Sequence, residues 1–244
     1  MLLQLSCAVA VNKIRPNTKA FSLVKASVEL IVHECKEDKK NKKISCEYSS
    51  KGKRVALGSG TFFTHKNQSL FLTAGHVCLG PTYEIWNSLP ERTKIVTELS
   101  LKSFTGHNVK GKIKYVNLKY DVCVVEATHP TVKKLPRIAQ IKPILHNNYY
   151  SISAPASIFH TGMVPVLSGT FVGDHKKFSF YTIPTAPGGS GGPIYDKNNN
   201  IVGVIQRTHS LFSHIALSIK HKDLLDIMER YFELKNQGID SMIE

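Results

Sequence analysis

The sequence predicts an all-β protein closed by a single C-terminal helix. Two observations carry that expectation. Short stretches rich in Val, Ile, Phe and Tyr recur along most of the chain, separated by polar turns. That is the pattern of an antiparallel barrel or sandwich, not of alternating strands and helices. Only "KHKDLLDIMERYFELKNQG" near the end changes period: Leu224, Leu225, Ile227, Met228, Tyr231, Phe232 and Leu234 fall at helical spacing, and Gly238 offers a stop.

Taken in order, "FSLVKASVELIVHEC" alternates and opens the series. "KRVALGSGTFFTH", "SLFLTAGHV", "RTKIVTELSLKSF", "NVKGKIKYVNL" and "DVCVVEA" continue it. A polar, proline-bearing stretch at 128–143 reads as a connector. "YYSISAP", "MVPVLSGTFVGD", "KKFSFYTI", "IVGVIQRT" and "SHIALSI" are further strands. The expected organisation is a β-domain over 1–127, a connector over 128–143, a second β-domain over 144–220 and a helix over 221–237. The Tyr149–Tyr150 pair is expected in the core or at its rim, and Lys222, Arg230 and Lys235 as surface charges of the helix.

The 244 residues are 42% apolar, ordinary for a globular chain. No stretch approaches the roughly 20 apolar residues that cross a bilayer, so no membrane span is expected. The opening "MLLQLSCAVAV" has no basic residue before its apolar run and reads as folded chain rather than as a secretory signal. The net charge of +14 favours an acidic partner, either nucleic acid, an anionic scaffold or an acidic substrate; a lysine-rich surface without a partner accounts for it equally well. Lysines cluster at 36–43. The five cysteines form no CxxC pair. Cys35 and Cys46 flank the lysine-rich loop and could bridge a hairpin, but free thiols in a reducing compartment are the expectation. The histidines show no metal-ligand spacing, and no cofactor is expected.

Three stretches carry chemistry: "LFLTAGHVC" with His76, "YDVCVVEA" with Asp121, and "TAPGGSGGPIYD" with Ser190. A serine hydroxyl is a weak nucleophile until a base takes its proton, and the base works best when a third group fixes its tautomer. A developing oxyanion needs backbone N–H donors with no side chain in the way. Gly188 and Ser190 can supply two such amides, with Gly189 tightening the turn between them.

The sequence resembles the trypsin-like serine peptidases of chymotrypsin fold. "LTAGHV", "YDVCVV" and "PGGSGGP" are similar to the family's histidine, aspartate and serine motifs, in the family's order. The resemblance implies two antiparallel six-stranded β-barrels with a cleft between them. It makes Ser190 the nucleophile, His76 the general base and then acid, Asp121 the group that orients His76, and the amides of Gly188 and Ser190 the oxyanion hole. The specificity pocket would be lined by Pro184, Thr185, Ala186 and Pro187 and by the strand carrying Gln206, Arg207 and Thr208. Pro184 stands where trypsin itself has an aspartate, so cleavage after Arg or Lys is not implied. Ile205 stands where glutamyl-specific and viral relatives have a histidine. Small or apolar residues are therefore expected at the cleavage position, and Arg207 with the net charge makes acidic flanking residues plausible.

Gly189 replaces the aspartate that zymogen-activated relatives carry before the serine, so no N-terminal cleavage is expected to order the oxyanion loop. Bacterial quality-control and virus-encoded relatives share that property, and a viral, phage or intracellular processing protease is the expected type. Cys78 has no evident partner, which fits an intracellular site of action. The alternative class is a binding or structural protein that kept the protease fold and is recruited to nucleic acid or an acidic assembly scaffold.

Overall fold

Hairpin chemistry explains how the first half of the chain folds. In the computed structural model β3 (Lys53–His65) turns into β4 (Gln68–Thr73) through Lys66 and Asn67 alone. Both turn residues have positive φ, 45° and 61°, the twist that a two-residue hairpin needs. The structure describes residues 23–38, 43–48, 53–80, 93–127, 134–239 and 242–244; for 23–38, 43–48, 53–56, 93–98 and 242 only the backbone is described. The N-terminal stretch with Cys7, the loop 39–42 within the lysine cluster, and connector residues 128–133 with His129 lie outside the described residues.

The first sheet also contains β1 (Leu23–Asp38), β2 (Lys43–Tyr48), β5 (Thr93–Ser103), β6 (Asn108–Asn117) and β7 (Val122–Glu126). Its order ends in β6-β5-β1-β3-β4-β7, and β6 pairs with β7 as well. Two strands depart from the expected six. β2 is appended to β1, with Cys35 opposite Cys46 in the hairpin. β14 (Met242–Ile243) adds to β6 in parallel, so the sheet has eight strands and is not wholly antiparallel. "SLFLTAGHV" is not all strand: after Thr73 the chain leaves the sheet, and Gly75–Leu79 forms the short helix α1.

The second half closes as a six-stranded barrel in the order β10-β13-β12-β11-β8-β9. Its strands are β8 (Asn148–Ile152), β9 (Val166–His175), β10 (Phe178–Tyr181), β11 (Pro193–Tyr195), β12 (Ile201–His209) and β13 (Phe212–Ile219). β12 begins with six consecutive buried residues, Ile201 to Gln206, as befits a strand covered on both faces. The fold is therefore all-β with one long helix, α2 (His221–Asn236), where helical spacing places it.

Leu224, Ile227, Met228, Tyr231, Phe232 and Leu234 of α2 are buried. They join a core with Leu70, Leu72 and Tyr115 of the first sheet and Tyr150, Tyr195 and Val204 of the second. Each such aliphatic side chain contributes roughly 1.5–3 kcal/mol of burial free energy, so α2 fastens the two sheets to one another. Gly238, with φ of 79°, ends the helix. Two of the helix cations have partners: Arg230 donates to Glu244 Oε1 at 3.0 Å and Lys235 Nζ to Gln68 Oε1 at 2.5 Å. Tyr149 and Tyr150 are both buried. Among the described residues no helix is long and apolar enough to cross a membrane.

Candidate active site

His76 sits in the first turn of α1, immediately after β4, and half of its side chain is exposed (50%). Asp121 occupies the tight turn between β6 and β7 and has a φ of 51°, a left-handed conformation that aspartate tolerates better than most residues. The turn is braced by Asn117, whose Oδ1 accepts from the Tyr120 amide at 3.0 Å. The β4–β7 ladder sets Thr73 opposite Cys123, which brings the ends of both strands together.

As a result the Asp121 carboxylate lies beneath the imidazole. Oδ1 accepts from the His76 amide at 2.8 Å, and His76 Nδ1 is 2.9 Å from Oδ2 and 3.1 Å from Oδ1. With Nδ1–H donated to the carboxylate, the neutral ring carries its lone pair on Nε2.

The same ladder corrects the expectation for the cysteines. Cys78 has a partner: it is disulfide-bonded to Cys123, and both are fully buried. The bridge ties the helix that carries His76 to the strand that follows Asp121. Free thiols are thus not the state of this pair, and one ground for a reducing compartment falls.

Ser190 comes from the other wall, the loop between β10 and β11. Backbone hydrogen bonds define this loop: Gly189 N to Ala186 O at 2.9 Å, Gly192 N to Gly189 O at 3.0 Å, and Gly191 N to Ile205 O at 2.6 Å. The carbonyl of Pro187 accepts from Ala156 N at 2.7 Å. In a trans peptide the carbonyl and the following N–H point opposite ways, so the Gly188 amide is turned away from that bond. Neither the Gly188 nor the Ser190 amide has a hydrogen-bond partner among the described residues. Gly191 has a φ of 83°, and a Cβ there would stand 2.1 Å from Ser59 O and from Thr73 Oγ1. Only glycine lets this loop press against the His76 wall.

Both walls enclose one cleft of about 650 Å³. His76, Asp121 and Ser190 line it, and so do Thr185, Ala186, Pro187, Ile205, Gln206, Arg207 and Thr208. Pro184, expected in the pocket, and Gly188, expected in the oxyanion hole, are not among the residues lining the cleft. The Ser190 hydroxyl donates to Gln206 O at 3.2 Å and makes no hydrogen bond to His76. Among the described residues no group of His, Cys, Asp or Glu is placed to hold a metal ion.

Three residues without an assigned role in the sequence motifs turn out to hold the site. Ser59 Oγ donates to Gly188 O at 2.7 Å and accepts from Ala154 N at 2.8 Å, while Ser59 N donates to Ser190 O at 2.7 Å. Gln206, expected only as a pocket residue, donates its side-chain amide to Tyr120 O and so links the Ser190 wall to the Asp121 turn. Asn117, besides holding Tyr120, donates to the Tyr115 hydroxyl at 3.1 Å, and that hydroxyl donates to Glu244 Oε2 at 2.6 Å. Burial pushes the Tyr115 hydroxyl up to about 12, so it stays a donor over the working pH range. Ser59 was visible in "GSGTFF", but nothing in that string names its partners.

The geometry places the chain among known proteins. No curated protein matches the sequence. Among solved structures, a serine endoprotease from Yersinia pestis is similar in fold, with a TM-score of 0.60 over 88% of this chain at 13% identity; the chain spans 65% of that structure's length. The family model for the trypsin-like peptidase domain matches residues 58–204, the segment that holds Ser59, His76, Asp121 and Ser190. The chain belongs to the trypsin-like peptidase domain family.

Proposed function

We propose that the protein is a serine endopeptidase and that His76, Asp121 and Ser190 are its catalytic residues. The observation that carries this proposal is the pairing of His76 Nδ1 with Asp121 in a cleft that Ser190 shares. In the reaction, Ser190 Oγ leaves its contact with Gln206 O, gives its proton to His76 Nε2 and attacks the substrate carbonyl carbon. The carbonyl oxygen gains the negative charge and is met by the Gly188 and Ser190 amides. His76 then protonates the leaving amine as the C–N bond breaks, which leaves an acyl-enzyme. Water attacks the ester carbon with His76 again as base, and Ser190 regains its proton. Asp121 accepts no proton; it holds the ring and steadies the imidazolium.

Gly189 supports activity without prior cleavage of the chain, because the loop is ordered by its own backbone bonds and by Ser59. A processing role in a virus, phage or cell accords with that property. The buried Cys78–Cys123 bridge favours folding in an oxidising compartment over the intracellular site first expected. The net charge of +14 supports a second role, recruitment to nucleic acid or an anionic scaffold, and such binding should weaken steeply as salt rises.

Labelling with a fluorophosphonate probe tests the proposal. Wild-type protein should be labelled and Ser190→Ala should not. Ser190→Ala should also lower turnover by about six orders of magnitude. Near-native turnover in purified Ser190→Ala would end this assignment.

A further inference from the structure

The cleft has a second chemically distinct part, away from the triad. Lys177 stands in the two-residue turn between β9 and β10, and Arg207 follows Gln206 on β12; both line the cleft and both are exposed. They share one aromatic ring. Arg207 Cζ is 5.1 Å and Lys177 Nζ 5.3 Å from the centroid of Phe178, which is half-buried. A ring in this position orients a cation without neutralising it.

Neither Lys177 nor Arg207 forms a salt bridge among the described residues. Among the described residues Asp121 is the one carboxylate lining the cleft, and it is committed to His76. Asp174, at the end of β9, accepts from Ser179 Oγ at 2.5 Å. On the same wall, the hydroxyls of Thr185 and Thr208 are buried and have no hydrogen-bond partner. Among the described residues the wall therefore offers two cations without a salt bridge and two hydroxyls without a hydrogen-bond partner. Two unpaired cations against one aromatic ring suit an anionic partner.

We propose that Lys177, Phe178 and Arg207 form a carboxylate-binding subsite and that the substrate is a peptide with an acidic side chain near the scissile bond. The proposal rests on the peptidase assignment. Arg207 is the next residue after Gln206, whose carbonyl holds the Ser190 hydroxyl. An extended peptide advances about 3.3 Å per residue, so an arginine side chain from that position reaches a substrate residue roughly two to four positions from the bond that is cut. Asp and Glu bind there through the guanidinium fork and the ammonium.

Quenched fluorogenic peptides test it, in sets where Glu, Gln or Lys is moved through each position around the cleaved bond. With wild-type protein, Glu at one position should raise kcat/KM at least about tenfold over its neutral isostere Gln, and the advantage should shrink as salt is raised. Arg207→Glu combined with Lys177→Glu should reverse the preference towards Lys, and Arg207→Gln alone should bring Glu and Gln near parity. Equal rates for Glu and Gln at every position would overturn the subsite and leave the peptidase assignment standing. If no peptide is cleaved, the peptidase assignment falls instead. The subsite is then decided by fluorescence anisotropy of the same labelled peptides on Ser190→Ala: tighter binding of the Glu peptides sustains it, and equal binding overturns it.

Discussion

The two walls of the cleft are held in different ways. On the first wall, His76 and Asp121 are fixed by side chains: a carboxylate under the ring, a disulfide between Cys78 and Cys123, and the Asn117 brace. On the second, Ser190 is fixed by main chain: glycines in close contact, amide-to-carbonyl bonds, and Ser59 as the one side-chain clamp. The difference follows from what each wall does. The first must keep one tautomer of a ring, which needs a charged acceptor. The second is proposed to aim unpaired backbone amides at an oxyanion, which puts its constraints on the main chain. Errors on the first wall should therefore cost chemistry or stability separately, while errors on the second should reach the oxyanion directly.

The largest effect expected from breaking this contrast is at Asp121. Asp121→Asn keeps size and shape but turns an acceptor into a partial donor, and His76 then favours the tautomer whose Nε2 carries the proton. We expect kcat to fall about 10⁴-fold, roughly 5.5 kcal/mol of transition-state stabilisation. The melting temperature should move little, since Asp121 lies outside the core. Stopped-time assays with active-site titration and a thermal melt check both parts. A kcat within tenfold of wild type would mean that the carboxylate does not set the tautomer.

The three motifs proposed to be catalytic were legible in the sequence because each compresses its chemistry into a few residues. His76, Asp121 and Ser190 stand in three short stretches that carry the resemblance together and in order, and glycines crowd around Ser190. The contacts that hold them were not. Ser59 acts on Gly188, 129 positions away, through a hydroxyl that any strand serine might carry. Cys78 and Cys123 are 45 residues apart and meet only because β4 pairs with β7. β14 has only two residues, too few for any period, and its place is set by docking on β6. The helix α2 was legible for the opposite reason: sixteen residues repeat the apolar spacing over several turns.

The next largest effect concerns the bridge. Replacing Cys78 and Cys123 together by Ala should cost about 2–4 kcal/mol of stability, measured by denaturant unfolding. Turnover at low temperature should stay within about tenfold, because the carboxylate still holds the ring. A stability loss below about 0.5 kcal/mol would show that the β4–β7 ladder alone carries this wall.

Ser59→Ala should act on the other wall and in the other manner. It leaves Gly188 O, which is part-buried, and Ala154 N, which is buried, without their partner, a penalty of about 1–3 kcal/mol. Because Gly188 is also the proposed source of an oxyanion amide, part of that penalty should appear as a fall in kcat of about ten- to a hundredfold with KM nearly unchanged. Loss of stability without loss of kcat would show that Ser59 only supports the fold.

The smallest effect is at the far end of the first wall. The Tyr115 hydroxyl, and after it Arg230, hold the Glu244 carboxyl below the usual carboxylate range. A carboxyl depressed in the folded state lends stability above its unfolded pKa and loses it as pH falls through the folded one. Docking of β14 should accordingly weaken at acid pH. The amides to follow are Leu118 N, which donates to Glu244 O at 2.7 Å, and Glu244 N, which donates to Val116 O at 2.9 Å. Their hydrogen-exchange protection should drop as pH falls below the carboxylate range, and Glu244→Gln should flatten that dependence. If the chain of contacts through Tyr115 and Asn117 is mechanically continuous, protection of the Tyr120 amide should drop with them. A Tyr120 amide that stays protected while β14 opens would separate the Asp121 turn from the strand and leave the turn to Asn117 and Gln206.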